Sequence, residues 1–315
     1  MSENFRQLSP FHSHTGMTSI QAGAVIALPL LLLFIGVFLW RHGDVNWFQS
    51  AFERSVKKLH MIQTMSRDLL ASAEAERSAV MAETDETSHA FAEQSIQAAQ
   101  NVEKARRTLA PLLEGNPQEA HLFREFSRCW ERLQAIDREV LSLAVQNTNL
   151  KALRLSFVRG PEAISRMEKA LNHLMDRASS SPNAVGITRR ASQAIIGAFH
   201  IYALQGPHIA ESTAAQMDEI EAKMKNHDAQ VTDALHNLEV QVDAPSKPLL
   251  HTVWASYKDF QKINAEIVDL SRQNSNIRSF ALSLGQKRRT TAQCQDVLAA
   301  LQETVQQSMA YTATK

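Results

Sequence analysis

The sequence predicts an all-α protein: one N-terminal transmembrane helix, then a long antiparallel up-down-up-down four-helix bundle built from two duplicated helical hairpins. Three observations carry this. Only 10 of the 315 residues are glycine and 6% are aromatic, a balance that favours helices over sheets. From Leu122 the apolar positions step by four and three through Phe126, Cys129, Leu133, Ile136, Val140 and Leu143 to Asn147, Leu150 and Phe157, a heptad seam. The same seam returns as Leu249, Val253, Phe260, Ile263, Ile267 and Leu270, then Asn274, Ile277, Ala281 and Leu284.

Residues 1–19 form an N-terminal tail. A transmembrane signal anchor over 20–40 follows from Ala22–Trp40, "AGAVIALPLLLLFIGVFLW", which holds no charged side chain and is long enough to cross a bilayer as a helix. Trp40, Trp47 and Phe48 stand where interfacial aromatics belong, and Pro29 is tolerable inside a membrane helix. No small-x-small cleavage site follows the apolar run, so the segment reads as uncleaved. Only Arg6 precedes it, whereas Arg41, Arg54, Lys57 and Lys58 follow. Taken alone these charges put the large domain in the cytoplasm, but the rule weakens for long translocated domains.

Beyond the span, breakers mark out four long helices. "EGNPQ" (Glu114–Gln118) separates Trp47–Leu113 from Gln118–Arg177, and "VDAPSKP" (Val242–Pro248) separates Ile187–Gln241 from Pro248–Thr312. "SSSPNAVG" (Ser179–Gly186) links a first hairpin, 47–178, to a second, 187–312. Neither hairpin buries its seam alone, so the two pair into one bundle. Helices of that length span roughly 80–100 Å. Gly160-Pro161, Gly206-Pro207 and Gly285 fall at similar heights, which fits either a waist between distal and proximal parts or a single kinked bundle.

Aligned at an offset of 127 residues, Leu122–Phe157 and Leu249–Leu284 share ten identities in 36 positions. Heptads alone bring Leu and Ile into register, so the polar matches decide the matter. Gln134/Gln261, Glu139/Glu266, Gln146/Gln273, Asn147/Asn274, Asn149/Asn276 and Ser156/Ser283 point to internal duplication. In one bundle Asn147 and Asn274 face inward at one level, beside Glu83, Thr84, Ser212 and Thr213 of the antiparallel helices. Such a polar layer either fixes register, as buried asparagines do in coiled coils, or forms the polar end of a small-molecule site. The candidate ligand-binding residues are Asn147, Asn149, Asn274, Asn276, Gln146, Gln273, Thr84, Ser212, Thr213 and Arg154. Arg278 lies near the layer as well.

Other chemistry is sparse. Cys129 and Cys294 form no Cys-x-x-Cys or zinc pattern. With the second and fourth helices parallel they stand roughly 55 Å apart, which excludes a disulfide. His227 with Met224, and His60 with Met61 and Met65, are ordinary packing rather than metal sites. Lysine and arginine equal aspartate and glutamate, 33 against 33, and no basic stripe carries interleaved aromatics, which argues against nucleic acid. With no phosphate-cradling glycine loop, nucleophile elbow or metal-protease histidine pair, neither an enzyme nor a cofactor is expected.

The apolar span, the long Ala/Glu-rich helix, and "FSRCWERLQAIDREVLSLAVQNTNLKALRLSF" with its echo "YKDFQKINAEIVDLSRQNSNIRSFALSL" resemble the four-helix-bundle sensory module of methyl-accepting chemotaxis receptors. The resemblance covers most of Trp47–Thr312 and implies a small-molecule-binding sensor domain, often a homodimer, in the periplasm and anchored to the bacterial inner membrane by a single span. In those receptors a second span and a signalling coiled coil follow. No second apolar segment follows here before Lys315, so signalling is expected to pass through a protein partner. The alternative is a non-catalytic envelope scaffold or adaptor whose hairpins bind a membrane or transport complex.

Overall fold

The structure, a computed structural model, describes residues 44–313. Residues His60–Thr304 form one compact unit, and the described residues 44–59 and 305–313 belong to a second. The elements are α1 (Asp44–Val80), α2 (Asp85–Leu109), α3 (Pro117–Ala144), α4 (Thr148–Ala178), α5 (Ala184–Ala210), α6 (Ala214–Gln241), α7 (Lys247–Gln273), α8 (Ser275–Leu282), a π-helical turn (Ser283–Lys287) and α9 (Arg288–Ala313). No strand occurs among the described residues.

Local chemistry explains the ends. Asn116 caps α3 by accepting from the Gln118 and Glu119 N–H groups, with Pro117 at the first helical position. Pro248 sits in the first turn of α7. Turns 113–116, 179–183 and 242–246 fall in the three breaker stretches. Two further turns have no Gly or Pro. Thr84 caps α2 by accepting from the Thr87 N–H, ahead of Asp85 and Glu86. At 211–213 the Glu211 carboxylate accepts from the Ser212 and Thr213 N–H groups, and the Gln216 amide lies 3.0 Å from Thr213 Oγ1.

These two cryptic turns reroute the chain. Helix α1 folds back on α2 at 81–84, and α5 folds back on α6 at 211–213. By contrast, α3 runs on into α4 across Asn147, and α7 runs on into α8 and α9 across Asn274. Within the larger unit the result is two four-helix bundles sharing two rods. Bundle one holds α1, α2, α3 and α8–α9; bundle two holds α4, α5, α6 and α7. The core of bundle two is continuous, from Ile164, Met167, Leu171 and Leu174 on α4 through Ala191 and Ala194 on α5 and Val231 and Leu235 on α6 to Val253, Tyr257 and Phe260 on α7. Bundle one buries Ile62, Met65, Leu69, Val102, Leu109, Phe126, Leu133, Val140 and Leu298. Side-chain bonds tie it laterally, from Ser72 to Ser95, Trp130 Nε1 to Glu103 and Ser66 to Gln295.

Each 127-residue repeat therefore lends its fourth helix to the other. Repeat one is α1–α4 and repeat two is α5–α9, yet α4 completes bundle two and α8–α9 completes bundle one. This is helix exchange within one chain, the arrangement a domain-swapped dimer makes between two.

Several expectations are corrected. The chain is two stacked bundles, not one up-down-up-down bundle, because side-chain caps rather than Gly or Pro make the turns at 81–84 and 211–213. The waist lies at these turns and at the two asparagines; Pro161 and Pro207 sit inside α4 and α5, and Gly285 sits in the π-helical turn. Cys129 and Cys294 form a disulfide with Cα atoms 5.7 Å apart. The rods are antiparallel, so 18 residues before Asn147 and 20 after Asn274 are the same depth in bundle one. The expected membrane helix and single-pass inner-membrane, periplasm-facing location are also overturned: among the described residues no helix is long and apolar enough to cross a membrane. The segments 1–19 and 20–40 lie outside the described residues.

Candidate functional site

Where the rods cross, the repeated Gln-Asn-x-Asn box meets its own copy. Asn147 (φ 51°) and Asn274 (φ 55°) are both left-handed, a conformation Asn tolerates better than most residues. Each break frees the N–H groups of a new helix, and the opposite helix satisfies them. The Thr148 N–H donates to Ser275 Oγ at 3.0 Å, and the Ser275 N–H donates to Thr148 Oγ1 at 3.1 Å. One step on, the Asn149 N–H donates to Asn276 Oδ1 at 3.1 Å and the Asn276 N–H to Asn149 Oδ1 at 3.2 Å. Asn149 Nδ2 reaches Asn274 Oδ1 and the Ile209 carbonyl, while Asn276 Nδ2 reaches Asn147 Oδ1. Outward, Asn147 Nδ2 donates to Asp85 and Asn274 Nδ2 to the Glu211 carbonyl, pinning both hairpin turns to the crossing.

The structure thus brings Asn147, Asn149, Asn274 and Asn276 together, with their amides taken up by one another and by the turns. Gln146 and Gln273 are exposed, and Gln146 bonds back to the Ser142 carbonyl. Thr84, Ser212 and Thr213 serve the hairpin turns. Arg154 is exposed on α4, where with Asn147 and Lys151 it holds the Asp85 carboxyl below its ordinary value, the Asn147 hydrogen bond contributing most. His227 packs against His200, ring centroids 4.7 Å apart, and no cluster of three metal-ligating groups occurs among the described residues.

Sequence reasoning missed two other places. Each bundle has a polar layer holding the exchanged helix. In bundle one Lys287, on the π-helical turn, contacts Glu76 of α1 at 3.1 Å and also Asp137 of α3, all three buried. Burial pushes the Glu76 carboxyl up, Lys287 and Ser283 partly offset this, and Glu76 Oε1 has no hydrogen-bond partner. In bundle two Ser156 donates to Gln205 at 2.8 Å, and Gln205 donates to Asn264 at 2.9 Å. At the 127-residue offset Ser283 matches Ser156, Asp137 matches Asn264 and Lys287 matches Gly160. One layer is a buried ion triad; its counterpart is neutral.

Against each layer lies a cleft. In bundle one it runs between α2 and α3, about 560 Å³, lined by Gln100, Lys104, Arg107, Gln134, Asp137, Arg138 and Leu141 among others. In bundle two it runs between α6 and α7, about 350 Å³, lined by Glu221, Met224, Asp228, Phe260, Gln261, Asn264, Ala265 and Val268 among others. Gln134/Gln261, Asp137/Asn264, Arg138/Ala265 and Leu141/Val268 are matched positions of the repeats, so the α3 and α7 walls of the two clefts correspond. In the first, Glu103 is held down to about 2 chiefly by Arg106, which with Arg107 and Trp130 Nε1 takes up its oxygens. Lys104 and Arg138 form no ion pair among the described residues. The Gln134/Gln261 match was legible in the sequence; its partners on α2 and α6 were not, since those helices carry no comparable identity.

No protein-family model matches the chain, and no curated protein is similar to it.

Proposed function

We propose that this protein is a non-catalytic, sensor-like module that binds small ligands in its interhelical clefts and acts through a protein partner. The carrying observation is that a cleft with a wall of matched positions occurs in each bundle, each time against the layer that holds the exchanged helix. A ligand in the first cleft touches Asp137 and through Lys287 reaches Glu76, and so bears on α1 and on the π-helical turn ahead of α9. Lys104 and Arg138 suit that cleft to a small organic anion. The resemblance to receptor sensory modules, in the seam and polar box of each repeat, supports the same reading.

Calorimetry of the full chain with small mono- and dicarboxylates tests this. Binding that weakens in Arg138→Ala and Lys104→Ala is the expected result. Unchanged heats and melting across a broad metabolite screen would overturn the reading.

A second reading, a scaffold or adaptor for another helical protein, is favoured by one observation. Leu153 and Phe157 on α4, and their repeat matches Phe280 and Leu284, are exposed, at 37%, 66%, 50% and 47%. In-cell crosslinking from Phe157 and Phe280 tests it; capture of nothing in either register would remove it.

A further inference from the structure

The two clefts share a wall of matched positions but differ in charge. The first is lined by three cations, Lys104, Arg107 and Arg138, against two carboxylates, and both carboxylates are occupied: Glu103 by Arg106 and Arg107, Asp137 by Lys287. The second is lined by three carboxylates, Glu221, Asp228 and Asp269, against Lys225 alone. Glu221 is engaged by Arg272 at 2.6 Å and by His208 at 2.8 Å. Asp228 is not so balanced. It is half-buried, and its Oδ1 accepts from the Tyr257 hydroxyl at 2.5 Å and from Gln261 Nε2 at 2.7 Å, both neutral donors. Lys225, one turn away on the same helix, is exposed and makes no ion pair with it. A carboxylate held only by neutral dipoles lacks a counter-ion.

Around Asp228 stand groups suited to a cation's hydrocarbon body. Ile201, Met224 and Phe260 are buried and form the apolar wall, Phe260 offering an aromatic surface and Met224 a polarisable sulfur. Asn264 supplies a carboxamide, its Oδ1 already holding Gln205. Where the first cleft has Arg138, this one has Ala265, so the matched position carries no competing positive charge.

Resting on the reading of the clefts as ligand sites, we propose that the bundle-two cleft binds a small organic cation, a primary amine or short diamine. Its ammonium group sits on Asp228 and its methylene chain lies along Met224 and Phe260. The clefts on the duplicated wall have thus diverged to opposite charge preference, and one chain responds to two unlike ligands.

Titration calorimetry of the full chain with 1,4-diaminobutane, 1,4-butanediol and succinate decides this. The diamine is expected to bind and the uncharged diol not to, because the ammonium supplies the recognition. Asp228→Asn is expected to weaken the diamine at least roughly tenfold, since it removes the charge and keeps the shape. Because that substitution also alters the bonds to Tyr257 and Gln261, a second variant guards against misfolding. Ala265→Arg adds a guanidinium at an exposed position, copying the first cleft, and is expected to abolish diamine binding while the melting temperature holds. Arg138→Ala is expected to leave diamine binding unchanged. No diamine heat, equal affinity for diamine and diol, equal affinity in Ala265→Arg, or loss in Arg138→Ala would each overturn the proposal. The succinate arm reports on the first cleft alone, so failure there and failure here are separable.

Discussion

Asn149 and Asn276 each accept a hydrogen bond from the other's backbone N–H and send their own amide across the crossing. Their truncation leaves buried donors without partners in the opposite helix. Asn149→Ala or Asn276→Ala is therefore expected to cost about 1–3 kcal/mol, more than an exposed N-cap, read from denaturant midpoints. The double variant is expected to be sub-additive, because the two side chains serve one reciprocal network. Glu76 makes a pH-dependent contribution of known sign. Its folded pKa lies above the ordinary 4.5 because of burial, with Lys287, Asp137 and Ser283 as its charged and hydrogen-bonding neighbours. The folded state therefore binds this proton more tightly than the unfolded chain. That stability is present below about 4.5 and is lost as pH rises through the raised value. Glu76→Gln stays neutral throughout, so its stability is expected to fall less between acid and neutral pH than that of the parent. Parallel curves would show that Glu76 does not titrate there. Glu103 runs the other way: depressed to about 2, it stabilises above 4.5 and loses that contribution as the pH drops. Glu103→Gln is expected to flatten this acid limb.

Among the elements, the rods and the hairpins divide the labour. The continuous rods α3–α4 and α7–α9 carry both bundles, and the hairpins α1–α2 and α5–α6 each fill out one. The Cys129–Cys294 disulfide fastens the exchanged α9 to α3 of its host bundle, across a sequence separation of 165 residues. Closing so long a loop constrains the unfolded chain strongly, so replacing both cysteines with serine is expected to cost about 2–5 kcal/mol. Thermal melts of the oxidised parent and the double variant measure this. The loss is expected in bundle one first, which hydrogen exchange on α9 amides would resolve from the α4–α7 core.

On the scale of the larger compact unit, stacking has a consequence that no local probe can mimic. The turn after α2 closes the outer end of bundle one, and the turn before α7 closes the outer end of bundle two. A single bundle of four straight helices places these turns side by side. The observed path separates them by the lengths of α3 and α7 together, on the order of 90 Å at 1.5 Å per residue. Energy transfer between dyes on cysteines introduced at Glu114 and Lys247 distinguishes the two: negligible transfer is expected, and efficient transfer would contradict the stacked arrangement.

Beyond Asn147 and Asn274 the expected seams fail, since Phe157 and Leu284 are exposed. The sequence by itself determined the helical content, the heptad seams of α3 and α7, three of the turns and the existence of a repeat. Each follows from local rules, since periodicity, proline and glycine act within a few residues. Tertiary structure alone decided the path. Turns 81–84 and 211–213 are made by side-chain caps at Thr84 and Glu211; in the sequence Thr84 reads as part of an inward polar layer and Glu211 gives no signal, until the chain is seen to reverse there. The reversal sets the rods antiparallel, and that single change brings Cys129 to Cys294, Thr148 to Ser275 and Lys287 to Glu76 and Asp137. It also gives the two clefts their corresponding α3 and α7 walls. Contacts between residues more than a hundred positions apart depend on direction as well as spacing, and spacing is all that a periodic sequence records.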